Sequence, residues 1–330
     1  MTLRPARIRR ASKLSLDVQV LILTSELDFA TDRICRKLLT DGIAFLRLNR
    51  ETLSEVSLTL LPTQGMLLCR KDGHEWRVGE KLRSVWWRQG TFDRNVANGY
   101  TSVNEQMERS QWSAFMRSIM VADSATWVND PSAVYRAETK AVQLNQAARI
   151  GFDVPETLMT NDRFADVEER IGSQVALKSI DTLLLRQGDD QLFGYTTLTD
   201  WRAVATKHLH LAPATIQAPL LNKLDLRVTV MGESHWCVAI RRHGEGIDGD
   251  WRLTSKSDIE IEDYTLPADV SQKCLQLVRS LGLRYGAIDL ALSKGRYWFI
   301  EVNPTGEWGW LDSDERPMTS AIAGYLSCPC

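Results

Sequence analysis

The chain has no excess of charge of either sign: across 330 residues, 40 lysines and arginines stand against 42 aspartates and glutamates, for a formal net charge of −2. A nucleic-acid binder carries a basic stripe that neutralises phosphates, so DNA and RNA are not expected partners. No apolar run approaches the roughly 20 residues that cross a bilayer, so a soluble chain with no membrane partner is expected. No glycine-rich fingerprint follows the first strand, and the turn Thr24-Ser25-Glu26 therefore gives little support to dinucleotide binding there. The five histidines include an H-x-H pair, His208 and His210, with no third ligand nearby, which argues against a zinc site. Six cysteines, Cys35, Cys69, Cys237, Cys274, Cys328 and Cys330, have no paired spacing apart from the terminal C-P-C. A reducing cytoplasm suits them better than a disulfide framework.

What is present is an ordinary globular balance, 44% hydrophobic and 25% charged, long enough for two or three domains. Tryptophan is abundant, with eleven residues, which suits either large core packing or broad surfaces for a peptide. Residues 1–16 carry Arg4, Arg7, Arg9, Arg10 and Lys13 and no acid. The apolar run behind them alternates as a buried strand rather than a signal-peptide core, so the tail is expected to be disordered, with contact to an acidic peptide as a second reading.

From Asp17 the pattern reads strand (Val18 to Leu23), helix (Asp28 to Asp41), strand (Ile43 to Leu48), then a polar stretch to about Arg83 holding one hairpin from Gly65 to Val78. Alternating β and α units predict an α/β chain with a mainly parallel sheet. Val85 to Arg88 is a short strand, and Arg88 is either a site residue or a partner for Glu51 or Glu55. An amphipathic packing helix is expected from Glu105 to Val121. A turn at Trp127–Pro131 and a single helix from Ala133 to Ile150, closed by Gly151 and carrying Lys140, should follow. Asp162 to Ile171 reads as helix and Gln174 to Lys178 as strand. The polar stretch from Ser179 to Gly194, with Arg186, Gly188 and Asp189, is either a mobile flap or a peptide-binding hairpin. Asp269 to Leu281 is a last connecting helix.

The stretch that carries chemistry runs from Arg284 to Trp310. Tyr285 to Leu292 and Arg296 to Asn303 read as two strands around a Ser293-Lys294-Gly295 turn. Side chains alternate along a strand, so Glu301 and Asn303 leave one face while Val302 leaves the other, and Asp289 comes from the partner strand. Two carboxylates and an amide oxygen are hard donors that suit Mg²⁺ alongside triphosphate oxygens. A solvated strand pair with its polar face in water is the plainer reading. Ile288, Leu290, Phe299, Ile300 and Val302 argue for burial instead, and buried carboxylates need a cation. Upstream, Asp225-Leu226-Arg227-Val228-Thr229-Val230 alternates so that Asp225 and Arg227 share a face, as an internal pair or as a fork for a carboxylate or phosphate.

EVNPTGEWGWL, preceded by the lysine strand ending at Lys178 and by DLRVTVMG from Asp225, resembles the ATP-grasp ligases. With VWWRQG near residue 87, TWVNDPSAVYRAETKAVQLNQAARIGFDVPETLMTND from Thr126 and DWR at 250, it resembles within them the macrocyclising maturases of microviridin-type ribosomal peptides, the graspetide synthetases. The resemblance implies an ATP-grasp fold with an N-terminal pre-ATP-grasp α/β domain. The expected divisions are a tail at 1–16, that α/β domain at 17–125, a central subdomain at 126–216 and a catalytic subdomain at 217–330. It implies ATP and Mg²⁺ as cofactors. Lys140, Lys178 and Arg252 would clamp phosphates, Asp289, Glu301 and Asn303 would hold the metal, and Gln217 would lie in the adenine hinge. Arg227, aided by Asp225, would position the acceptor carboxylate. Ala218 departs from the acid the family often has after that glutamine.

The implied partner is a ribosomal precursor peptide, leader and core, with a second copy of the chain as a further candidate, in the cytoplasm. The implied reaction activates Asp or Glu side chains as acyl phosphates and closes rings as esters to Ser or Thr or as amides to Lys. A ligase for a small amino acid or peptide, and a nucleotide-binding regulatory protein without turnover, are the alternatives.

Overall fold

The computed structural model describes residues 15–88, 102–180, 184–187, 190–205, 209–247 and 249–329. The basic tail up to residue 14, His208, and residues 181–183, 188 and 189 of the polar stretch lie outside the described residues. The chain divides into two compact units, one of Met1–Asp93, Thr101–Val128 and Asp312–Cys330 and one of Arg94–Tyr100 with Asn129–Leu311.

The first unit opens with β1 (Ser15–Asp17), β2 (Val20–Thr24), α1 (Phe29–Thr40) and β3 (Phe45–Asn49). It continues with β4 (Ser57–Leu61), β5 (Met66–Lys71), β6 (His74–Val78), β7 (Ser84–Trp87), α2 (Val103–Ser118) and β8 (Thr126–Val128). The expected parallel sheet is present, ordered β3-β2-β7-β8 with every pair parallel. All five residues of β2 are buried, as in a parallel sheet covered on both faces. α1 begins at Asp28, whose carboxylate accepts from the Thr31 N–H at 3.2 Å, and it buries Ala30, Thr31, Ile34 and Leu38. The stretch expected to hold one hairpin forms a second sheet, β1-β6-β5-β4, with β4 an additional strand. Asp72 and Gly73 make its tight turn, both with positive φ. The amphipathic helix expected from Glu105 ends as α2 at Ser118 and continues as a 3₁₀ turn, Ile119–Val121.

Arg88 finds neither Glu51 nor Glu55. Its buried guanidinium lies 3.4 Å from Asp28, the cap of α1, which also accepts the hydroxyls of Thr24 and Thr31. Burial pushes the Asp28 carboxyl up, but Arg88 and those hydrogen bonds outweigh it and hold it below the usual range.

In the second unit the chain forms α3 (Pro131–Ala137), α4 (Lys140–Ile150), β9 (Thr157–Thr160), α5 (Val167–Arg170) and β10 (Gln174–Lys178). Next come β11 (Leu184–Gln187), β12 (Asp190–Phe193), β13 (Thr197–Asp200), α6 (Trp201–Ala205) and β14 (Ala214–Gln217). β15 (Leu224–Met231), β16 (Ser234–Arg242), β17 (Ile259–Asp263), α7 (Ala268–Ser280), β18 (Tyr285–Ser293) and β19 (Arg296–Asn303) complete it, and α8 (Met318–Ser327) closes the chain in the first unit, beside α1. The helix expected from Ala133 to Ile150 is two helices, because Thr139 is extended (ψ 105°) and restarts the helix at Lys140. The helix expected from Asp162 is the single turn α5, stopped before Gly172, whose φ is +105°. Trp127 and Val128 belong to β8 rather than to a turn.

A four-stranded sheet, β13-β10-β14-β9, carries Lys178 and Gln217, and a five-stranded antiparallel sheet, β17-β16-β15-β18-β19, carries the carboxylates. The latter packs one face on α7 through Leu226, Val228, Val230, Ile288, Leu290, Phe299 and Val302 against Val270, Cys274, Leu277 and Val278. Each such side chain contributes roughly 1.5–3 kcal/mol on burial. Most of the buried tryptophans serve packing too: Trp86, Trp87, Trp127, Trp201 and Trp308 are inside, while Trp310 is exposed. The described cysteines Cys35, Cys69, Cys237, Cys274 and Cys328 are unpaired. No helix among the described residues is long and apolar enough to cross a membrane.

Candidate active site

The β18–β19 hairpin turns through Lys294 and Gly295, both with positive φ, which suits a two-residue turn between twisted strands. Simple alternation from that turn would set Ile300 opposite Asp289 and point Val302 away from the core. A β-bulge prevents this: Leu290 pairs with Phe299 while Asp289 pairs with Glu301, so Ile300 is the extra residue. Phe299 and Val302, three apart, both enter the core, and Asp289 and Glu301 become direct cross-strand neighbours. Asn303 lies opposite Ala287, and its amide nitrogen is 3.4 Å from Glu301 Oε1. Ile300 lines the cleft instead of joining the core.

Arg227 lies opposite Asp289 on β15, as the alternation of Asp225 and Arg227 requires, and donates through Nη1 to Asp289 Oδ1 at 2.8 Å. Arg252, on the 3₁₀ turn Trp251–Leu253, donates through Nη2 to Asp289 Oδ2 at 3.0 Å and to Glu301 Oε1 at 2.8 Å. One guanidinium thus bridges both carboxylates. Asp250, which sequence reasoning did not single out, caps that turn by accepting the Arg252 N–H at 3.1 Å and pairs with Arg252 Nη1 at 3.4 Å. Lys223 was missed as well; it forms an ion pair with Asp225. The signal was available, since Lys223, Asp225 and Arg227 fall on one face at a period of two.

Lys178 ends β10 and donates to Gln217 Oε1 at 2.7 Å, while Gln217 Nε2 donates to Thr157 Oγ1 at 2.8 Å. Gln217 therefore orients the lysine with its side chain. Lys140, the first residue of α4, reaches the Ser179 carbonyl at 3.3 Å. These groups line or adjoin a cleft bounded by Lys178, Gln217, Asp225, Arg252, Asp289 and Ile300.

Electrostatics divide the carboxylates. Burial drives the Asp289 carboxyl upward, with Arg227 and Arg252 opposing and Glu301 reinforcing. Burial also raises Glu301, but Arg252, Lys140 and Lys178 outweigh it and bring it to about 2. Asp225 is pushed up to about 6 by burial, against Lys223. Lys178 is pulled down to about 8 by burial, against the attraction of Glu301. Two adjacent, mostly buried carboxylates need positive charge, and their oxygens with the Asn303 amide oxygen form a hard donor set, so the residues fit Mg²⁺. Beside them Arg227 Nε and Thr229 Oγ1 are buried with no hydrogen-bond partner, as is Thr215 Oγ1 opposite Lys178 on β14.

The loop after β19 is packed closely. Tyr285 donates its hydroxyl to the Gly306 carbonyl at 2.6 Å, and a Cβ at Gly306 would lie 2.5 Å from the Ala287 Cβ and 2.8 Å from Arg227 Nη2. Asn129 Nδ2 donates to the carbonyls of Tyr285 and Pro304, and its Oδ1 accepts the N–H groups of Arg284 and Tyr285, all at 2.7–2.9 Å.

No protein-family model and no curated protein matches the chain. Solved structures do. A RiPP-associated ATP-grasp ligase from Chryseobacterium gregarium, in complex with ADP and a leader and core peptide, superposes with a TM-score of 0.80 at 22% identity, covering 94% of this chain and 96% of that one. The macrocyclase MdnC from Microcystis aeruginosa, bound with precursor peptide MdnA, gives 0.77 at 24% identity over 93% and 99%. The macrocyclase MdnB from the same organism gives 0.71 at 25% identity over 94% and 99%. The chain has the ATP-grasp fold of these ligases.

Proposed function

We propose that this chain is an ATP- and Mg²⁺-dependent ligase that converts Asp or Glu side chains of a ribosomal precursor peptide to acyl phosphates and closes intramolecular esters with Ser or Thr, or amides with Lys. The observation that carries the reading is the bridged pair, Asp289 and Glu301 side by side under Arg252, in a cleft that also holds Lys178, on a fold shared with macrocyclases. A carboxylate cannot expel oxide, so a ring-closing ligase must first make that oxygen a phosphate leaving group. Charge then has to be neutralised along the phosphates and at the reacting carboxyl, and the cleft's cations are placed for this.

Asp289, Glu301 and Asn303 would hold Mg²⁺, whose contribution when bound is to neutralise triphosphate charge. Lys140 and Lys178 hold phosphate oxygens, and Gln217 keeps Lys178 aimed. Arg227, with its orphaned Nε, and Arg252 position the peptide carboxylate and its phosphorylated form. Asp225, at about 6, takes a proton from the attacking hydroxyl or ammonium near neutral pH. This division of roles is supported by geometry and charge. The expected setting is the cytoplasm, and the expected partner is the leader and core of a precursor.

Incubating the protein with a candidate precursor encoded beside its gene, Mg²⁺ and ATP tests this by mass spectrometry. The expected product has lost one water per ring. ADP release with free amino acids and no peptide product would replace this reading with that of a small-molecule ligase.

A further inference from the structure

β19 is an outer strand of its sheet, whose free side meets an isolated bridge at Trp298, where the Phe299 N–H donates to the Asp153 carbonyl at 2.8 Å, and no neighbouring strand among the described residues. At Val302, between Glu301 and Asn303, a side chain takes that strand's place. Gln143 Oε1 accepts the Val302 N–H at 3.0 Å and Gln143 Nε2 donates to the Val302 carbonyl at 2.8 Å. The same Nε2 donates to the carbonyl of Ala137, the last residue of α3, at 2.6 Å. Gln143 is buried, and one amide thereby joins the α3–α4 break to the strand.

We propose that Gln143 is a positioning residue that holds Lys140 and the Glu301–Asn303 strand end in one fixed arrangement. Lys140 lies one helical turn before Gln143 on α4, so the two share a helix face. The amide fixes that face against the strand, and through the Ala137 carbonyl it fixes where α4 begins. A glutamine that only filled space would be replaced by leucine at little cost, because a buried amide must be fully hydrogen-bonded merely to break even. A reciprocal bond to one backbone position instead specifies register. The inference rests on the nucleotide reading above and adds to it a residue that touches neither phosphate nor metal.

The test uses full-length wild type, Gln143→Leu, Gln143→Glu and, as a stability control, Val278→Ala, whose side chain packs from α7 into the core beneath the sheet. Binding of the non-hydrolysable analogue AMPPNP is followed by calorimetry as Mg²⁺ is varied, and hydrogen exchange at the Val302 amide is followed without nucleotide. Removing a group that orients ligands typically weakens binding about 10–100-fold. Gln143→Leu is expected to lose Mg²⁺-dependent AMPPNP affinity on that scale and to expose the Val302 amide. Gln143→Glu, which keeps an acceptor but loses both donors, should fall between. Val278→Ala should lower the melting temperature and leave both readouts unchanged.

Gln143→Leu binding AMPPNP as wild type does, or losing affinity no more than an equally destabilised Val278→Ala, overturns the proposal. Wild type that binds no Mg²⁺–AMPPNP overturns the nucleotide reading itself, and this one with it. A measurement on wild type alone covers variants that fail to fold: bound nucleotide should slow exchange at Val302, and an unchanged rate there refutes the linkage.

Discussion

Replacing Lys178 with methionine should leave the ligand-free protein at least as stable as wild type while removing its capacity to bind nucleotide. Burial brings the ammonium from 10.5 to about 8, and at 1.36 kcal/mol per unit that difference corresponds to roughly 3 kcal/mol of destabilisation near neutral pH. Methionine removes this cost but strands the Gln217 carbonyl oxygen that now accepts from Lys178, at about 1–3 kcal/mol. The net gain is between about 0 and 2 kcal/mol, and each kcal/mol moves the melting temperature by about 2–4 °C in chains somewhat shorter than this one. The pH dependence follows from proton counting. Between about 8 and 10.5 the unfolded lysine holds more protons than the folded one, so wild-type stability contributed by this group rises with pH across that window. Below pH 8 the cost is fully present. The variant's advantage at pH 7 should therefore shrink as melts are repeated toward pH 10, while AMPPNP binding is absent throughout. A variant that melts several degrees below wild type at pH 7, by a margin constant with pH, would refute the claim that Lys178 is a strained, function-directed cation.

The same geometry makes three further predictions. Asp289→Asn and Glu301→Gln should each abolish ATP-dependent peptide modification, but they should differ in melting. Asp289→Asn deprives the buried Arg227 of its partner and should cost about 3–5 kcal/mol, whereas Glu301→Gln removes a carboxylate that Arg252, Lys140 and Lys178 hold at about 2, so it should lower the melt above pH 4.5 and by less and less as pH falls toward 2. Gly306→Ala, whose methyl would meet the Ala287 Cβ and Arg227 Nη2, should lower kcat about 10²–10³-fold by displacing that guanidinium, with circular dichroism unchanged; wild-type turnover would sink the assignment of Arg227. Burial sets Asp225 at about 6, so wild-type kcat/KM should fall as pH drops through 6 and protonates the base, and that limb should be missing from the residual activity of Asp225→Asn.

The expected fold class, the two strands of the β18–β19 hairpin and the shared face of Asp225 and Arg227 were legible because each depends on local alternation. The bulge was legible too, and overlooked. Phe299 and Val302 are both apolar and three apart, a spacing no regular strand buries on one face, yet the run Phe299-Ile300 reads as uninterrupted core unless that phase is counted. Gln143 and Asn129 were not legible. A glutamine on a helix reads as solvated, and what makes this one structural is a backbone partner 159 positions away. The break at Thr139 escaped because Ala133 to Ile150 keeps helical composition throughout, and the interruption is spanned by the Gln143 amide donating to the Ala137 carbonyl rather than marked by a proline or glycine. Arg88 was placed at a strand end correctly, but its acid is the helix cap Asp28, which sequence reasoning had read only as the start of that helix.

The two carboxylates of the hairpin face each other, yet their surroundings give them different tasks. Asp289 is held from two sides, by Arg227 on the neighbouring strand and by Arg252 from the 3₁₀ turn, and neither Asp289 nor Arg227 is more than about a tenth exposed. An ion pair so enclosed cannot be broken without stranding a charge. Glu301 is held by the half-exposed Arg252 and by a long contact from Asn303. An incoming cation can take over from Arg252 at Glu301 at low cost, because the released guanidinium keeps Asp250 and reaches solvent. On the proposed reading, the hairpin thus offers the cation one fixed carboxylate and one exchangeable one. Arg252, which bridges both, is on that reading the side chain whose partners change when nucleotide and metal bind.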